Sequence, residues 1–107
     1  MLRKSVVINP KDFNTLVNLG CVLKDLGNPK EAEKFLRNAL KINPAYEIAL
    51  TNLGAVLNEL EKIDEGERCL RKALNINPAS PMTHNNLGNI LSKKRNYSES
   101  ELSLIHI

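Results

Sequence analysis

FLRNALKINP (Phe35–Pro44) has two counterparts in this chain, CLRKALNINP (Cys69–Pro78) and MLRKSVVINP (Met1–Pro10). Leu, Arg, Ile, Asn and Pro coincide in all three, and each copy lies 34 residues from the next. A second block keeps the same spacing: VNLG (Val17–Gly20), TNLG (Thr51–Gly54) and NNLG (Asn85–Gly88). Two separate blocks at one fixed period identify a repeat array, whose units must stack to bury their apolar faces.

Each unit reads as two helices. Leu16, Leu19, Gly20 and Leu23 recur at i, i+3, i+4 and i+7, one stripe of a helix. Gly27-Asn28-Pro29 interrupts that stripe, with Pro suited to the first turn of the next helix. Ala32, Phe35, Leu36, Ala39 and Leu40 form the second stripe, which ends near Asn43-Pro44. Ser80-Pro81 reads as a further helix start, an N-cap followed by Pro.

Leu16-x2-Leu19-Gly20-x2-Leu23, Ala32-x3-Leu36 and Pro44 resemble the tetratricopeptide-repeat signature. The second copy reads Leu50-x2-Leu53-Gly54-x2-Leu57, Gly66-x3-Leu70 and Pro78; the third reads His84-x2-Leu87-Gly88-x2-Leu91, then Ser100-x3-Leu104. Leu or His replaces the large aromatics that the pattern often carries in its first helix, while the small columns Gly20/Gly54/Gly88 and Ala32/Gly66/Ser100 are kept. The resemblance implies an all-α, right-handed solenoid of stacked antiparallel helix pairs. Residues 1–12 would then be the closing half of a preceding repeat, 13–46 and 47–80 two full repeats, and 81–107 a third, truncated in its second helix.

Met1 falls mid-helix, in the column of Phe35 and Cys69, so the expectation is a piece cut from a longer array. LSLIHI (Leu102–Ile107) is also the translation of CTG TCT CTT ATA CAC ATC, an end sequence of transposon-based libraries. Leu104 fits the Leu36 and Leu70 column, but Ile105 and Ile107 stand where earlier copies have Arg37, Arg71, Ala39 and Ala73. These last residues are read as a library-derived scar and take no part in the functional reading.

Composition narrows the function classes. Hydrophobic residues at 42% and charged residues at 25% suit a folded protein rather than a disordered one. No apolar run exceeds three residues, which leaves no membrane span or signal core within the sequence and no expected membrane contact. The net charge of +3 is not gathered into a block, and the aromatics are only Phe13, Phe35, Tyr46 and Tyr97, so nucleic acid is not an expected partner. Cys21 and Cys69 match no metal-ligand spacing and point to a reducing, cytoplasmic setting without a mutual disulfide. The sequence contains no catalytic constellation, phosphate loop or metal motif, and no cofactor is expected. His84 stands in the column of Leu16 and Leu50 and reads as a packed interface residue.

The resemblance places the first helix of each pair on the concave face, which repeat arrays commonly use for binding. The stripe opposite the packing residues is Asn14, Asn18, Cys21 and Asp25 in the first repeat. It is Ile48, Asn52, Ala55 and Glu59 in the second, and Met82, Asn86, Asn89 and Lys93 in the third. One column is constant: Asn18, Asn52, Asn86. A carboxamide donates and accepts, so it pairs with the C=O and N–H of a peptide backbone together. Such a ladder is similar to that in the repeat arm of the O-linked N-acetylglucosamine transferases. The plainer alternative is that Asn is a frequent polar choice beside Leu-Gly in these repeats.

The expected function is therefore a non-catalytic scaffold that holds an extended peptide, with a substrate-recognition arm of a larger enzyme as the alternative. A further mode known in the family, the carboxylate clamp for acidic chaperone tails, needs Lys and Asn, then Asn, then Lys with Arg in successive first helices. Val17, Cys21, Met82 and Asn86 occupy those columns and Asn52 alone matches, so chaperone tails are expected to be disfavoured. Glu33–Arg37 and Glu67–Arg71 read as i,i+4 pairs on a solvated convex face, with Lys30, Lys34 and Lys41 beside them.

Overall fold

A computed structural model describes residues 13–106, with side chains described for 13–96. Met1–Pro10 and the side chains of the LSLIHI segment lie outside the described residues. The described residues form helices and no strand: α1 (Phe13–Asp25), α2 (Pro29–Ile42), α3 (Glu47–Glu59), α4 (Ile63–Ile76) and α5 (Pro81–His106).

The reversal between α1 and α2 follows from backbone hydrogen bonding. Gly27 takes φ 83°, and Asn28 N–H closes back onto the Leu23 carbonyl at 2.8 Å. This left-handed cap satisfies carbonyls that the helix end leaves unpaired. Pro29 then opens α2, where its missing N–H costs nothing. The α3–α4 reversal repeats the motif with Glu61 at φ 65° and Lys62 N–H on the Leu57 carbonyl at 2.8 Å. A side chain at positive φ is unfavourable, and Lys93 from α5 offsets it by pairing with Glu61 and donating to the Asn58 carbonyl at 2.9 Å. Ser80 caps α5 as its sequence suggested, its Oγ accepting from Thr83 N–H at 3.3 Å.

Packing is set by the small columns. A Cβ on Gly20 would stand 2.5 Å from Leu36 Cγ, and one on Gly54 2.5 Å from Leu70 Cγ. Without those carbons the paired helices close together and Leu36 and Leu70 are fully buried. Burial of each such side chain is worth about 1.5–3 kcal/mol. Leu16, Val17, Ala32, Leu36, Ala39, Ala49, Leu53, Val56 and Leu57 form one continuous core. Ile63, Leu70, Leu87 and Ile90 form a smaller one.

The third unit departs from the helix-pair pattern. Pro81–His106 runs as one helix, without the reversal that Ser100-x3-Leu104 led us to expect. Arg95 holds the column of Gly27 and Glu61, and Gly88 has no atom within 4 Å of its would-be Cβ. Among the described residues no returning helix fills that notch. His84 is consequently exposed rather than packed, with its ring Nε2 2.7 Å from the Pro78 carbonyl oxygen.

Candidate functional site

The helices sort into two layers. In the inner layer, α3 touches both α1 and α5. In the outer layer, α2 and α4 stand apart across a cleft of about 460 Å³ floored by α3 residues Leu50 and Leu53. The inner layer presents one face along α1, α3 and α5, the helices on which the three predicted columns lie.

The columns are not uniform. On α1, Asn14, Asn18 and Asp25 are exposed, whereas Cys21 is half-buried against the main core. On α3, Ile48 is 45% exposed and Glu59 is open, Ala55 is half-buried, and Asn52 is only 3% exposed. On α5, Met82 is 50% exposed and Asn89 is open, while Asn86 and Lys93 are half-buried. Asn52 sits lowest because its helix is flanked on both sides, and its Nδ2 donates to the Ile48 carbonyl at 2.9 Å. The buried Nδ2 of Asn86 meets no acceptor among the described residues. An unmet amide of this kind costs about 1–3 kcal/mol. Lys93 is spent on the α3 cap described above.

Beneath this face lies a feature the sequence reading did not single out. The hydroxyls of Thr51 and Thr83, at 1% and 0% exposure, lie 2.7 Å apart, and Thr83 Oγ1 donates to Ser80 Oγ at 3.0 Å. The chain of hydroxyls fixes α3 against α5. Its sequence signal is two Thr where the same columns one repeat earlier hold the apolar Val17 and Ala49.

The outer charges also reach further than i,i+4. Glu33 binds Arg37 at 2.8 Å and Lys62 at 3.1 Å, and Arg37 reaches Glu65 of α4 at 2.6 Å. Glu67 binds Arg71 at 2.8 Å and Lys94 of α5 at 2.9 Å. Burial pushes the Glu33 carboxyl up, but hydrogen bonds from Arg37 and Lys62 more than reverse it and hold it below the usual carboxylate range. Hydrogen bonds from Lys94 and Arg71 do the same for Glu67. Burial pushes both cysteine thiols up, Cys69 among core residues and Cys21 less deeply, and both are free. Among the described residues, no group of three or more His, Cys, Asp or Glu is placed to hold a metal. No described helix is long and apolar enough to cross a membrane.

Three family models, each described as tetratricopeptide repeat, match residues 13–46, 48–80 and 69–101. The chain belongs to the tetratricopeptide-repeat family. Among solved structures it is similar to MamA, at 20% identity and TM-score 0.81 over 90% of this chain and 56% of that one. The chain thus spans little more than half of MamA. It is similar to the Sgt2 tetratricopeptide-repeat domain from Aspergillus fumigatus, at 17% identity and TM-score 0.83 over 91% of this chain and 66% of that one. It is also similar to the first such domain of Spaghetti (RPAP3) bound to the HSP90 peptide SRMEEVD, at 22% identity and TM-score 0.81 over 87% and 74%. The second such domain of human RPAP3, solved with the HSP70 peptide SGPTIEEVD, matches at 18% identity and TM-score 0.75 over 82% and 73%. A comparison with curated proteins gives no match.

The two peptide complexes correct the expectation that chaperone tails are disfavoured. That expectation made a few side-chain identities, at the columns of Val17, Cys21 and Met82, a condition for binding. Two structures with this helix arrangement, at 22% and 18% identity, hold HSP90 and HSP70 peptides, so the arrangement itself does not disfavour such ligands.

Proposed function

We propose that this chain is a protein-interaction segment that binds an extended peptide along its inner face. The observation that supports this most is the pair Ile48 and Met82, one repeat apart in the same column. Large apolar side chains at 45% and 50% exposure do little for the fold, and beside open carboxamides they suit a partner that is apolar at intervals and polar along its backbone. Asn18 and Asn86 grip that backbone, while Asn52, with one amide hydrogen already committed to Ile48, contributes less. Asn14, Asn89, Ala55 and Cys21 line the path, and Asp25 and Glu59 give one end an acidic character.

Peptides selected from a displayed random library against the full chain, together with SRMEEVD and SGPTIEEVD, form the test panel. Burying Ile48 and Met82 is worth about 1 kcal/mol each, so I48A/M82A weakens the best binder by about thirtyfold. N18A/N86A weakens it to a similar degree. Unchanged affinity in both variants places the binding elsewhere and ends the proposal.

The constant Asn18, Asn52 and Asn86 column favours a second reading, in which the array is the substrate arm of a larger enzyme such as a protein O-glycosyltransferase. The full coding sequence decides between them. A catalytic domain following further repeats supports the arm, and a polar capping helix followed by a stop removes it.

A further inference from the structure

The outer cleft between α2 and α4 has the makings of a second binding site. Its volume is about 460 Å³, and Leu40, Leu50, Leu53 and Cys69 supply its apolar lining. Arg37, Lys41, Arg68 and Lys72 stand around it, against the single carboxylate of Glu65. Arg37 is already neutralised by Glu33 and Glu65. Lys41, Arg68 and Lys72 are exposed and make no ion pair or hydrogen bond with the described residues. Three uncompensated cations therefore converge on one apolar hollow.

Repeat chemistry explains why the hollow is here. Cys69 occupies the column that Phe35 fills one repeat earlier, where the ring packs against the core. Replacing a benzyl group by a thiol leaves a gap about the size of a small apolar side chain. Two of the three cations are likewise particular to this junction, while Arg68 has a cationic counterpart in Lys34. The counterparts of Lys41 and Lys72 in the other full repeat are the neutral Asn75 and Asn38. On α4, Glu65, Arg68, Cys69 and Lys72 follow i, i+3, i+4 and i+7, so one helical face presents both the gap and its charged rim.

We infer that this cleft is a second peptide site, which takes an acidic segment of a protein partner by seating one apolar side chain over Cys69 and pairing its carboxylates with Lys41, Arg68 and Lys72. Charge complementarity selects acid, the apolar floor selects a peptide over a bare anion, and the absence of aromatic lining argues against stacked bases. The site is independent of the inner face.

The test uses the full chain and a fluorescein-labelled peptide of glutamates flanking a leucine pair, read by anisotropy. R68E/K72E is expected to weaken binding by about tenfold or more. K30E/K34E makes the same charge change elsewhere on the outer layer and is expected to leave it within about twofold. C69F, which restores the ring of the preceding repeat without altering charge, is expected to abolish the leucine-dependent part of the affinity. Circular dichroism of each variant verifies that the helices are retained. Equal loss in R68E/K72E and K30E/K34E would show attraction to net charge alone and overturn the site. So would loss in N18A/N86A with none in R68E/K72E, which assigns the acidic peptide to the inner face. Tighter binding of single-stranded RNA or of phosphatidylserine vesicles than of the peptide also rejects it.

Discussion

The Thr51–Thr83 contact is a buried polar junction with an apolar counterpart in the same molecule. The columns that hold Val17 and Ala49 in one place hold two hydroxyls in the next, 2.7 Å apart and fully covered. Because Thr83 donates to Ser80, Thr51 is the donor to Thr83. T51V removes one bond but leaves Thr83 its acceptor, at a net cost of about 0.5–1.5 kcal/mol. T83V strands the Thr51 hydroxyl in a dry site, where the desolvation penalty is about 1–3 kcal/mol. The double variant T51V/T83V strands nothing at that contact, so it costs less than the two singles added together, with a coupling of about 1 kcal/mol. Urea unfolding followed by far-ultraviolet circular dichroism, compared at constant slope, measures all three. Costs that add to within about 0.3 kcal/mol would refute the reasoning, because independent hydroxyls cannot be partners. The contact joins α3 to α5, and with them the columns of Asn52 and Asn86.

Gly54→Ala is expected to destabilise the chain by about 1–3 kcal/mol, since its Cβ drives into Leu70. Gly88→Ala, with nothing within 4 Å, gains about 1 kcal/mol of helix propensity, and the two shifts in thermal midpoint have opposite signs. Glu33 is held below the usual carboxylate range in the folded chain, so its stabilisation is complete above that range and is lost as pH falls through the folded value. Urea midpoints of E33Q should therefore fall below those of the parent chain at neutral pH and converge with them in acid; a gap that stays constant contradicts the ion-pair account.

Fold and site were legible to different degrees. The period, the paired helices and the glycine notches follow from sequence because packing at one column repeats at the next. In the third unit a column match does not suffice to predict a reversal: Leu104 fits its column, yet α5 runs on as one helix, with Arg95 where the earlier reversals have residues at positive φ. The inner columns could be read along the first helices but not their burial, since periodicity cannot show that a middle helix hides Asn52 between two neighbours. Lys93 looked like a groove residue and is instead tied to Glu61 and the Asn58 carbonyl. The outer cleft escaped because it is made by an exchange, Phe35 to Cys69, that looks conservative within a packing column. Acid–base pairs offset by nearly one repeat, such as Glu33 with Lys62, were the available signal for the ladder of outer charges.

The side-chain amide resonances of the asparagines offer the most direct measurement. A two-dimensional 1H–15N spectrum of the full chain, titrated with a library-selected peptide, reports on Asn18, Asn52 and Asn86 individually. The account predicts that the amide signals of Asn18 and Asn86 move most, that Asn52 moves less, and that backbone signals of Ile48 and Met82 follow the same titration curve. Silent asparagines, with shifts confined to α2 and α4, would contradict peptide binding on the inner face.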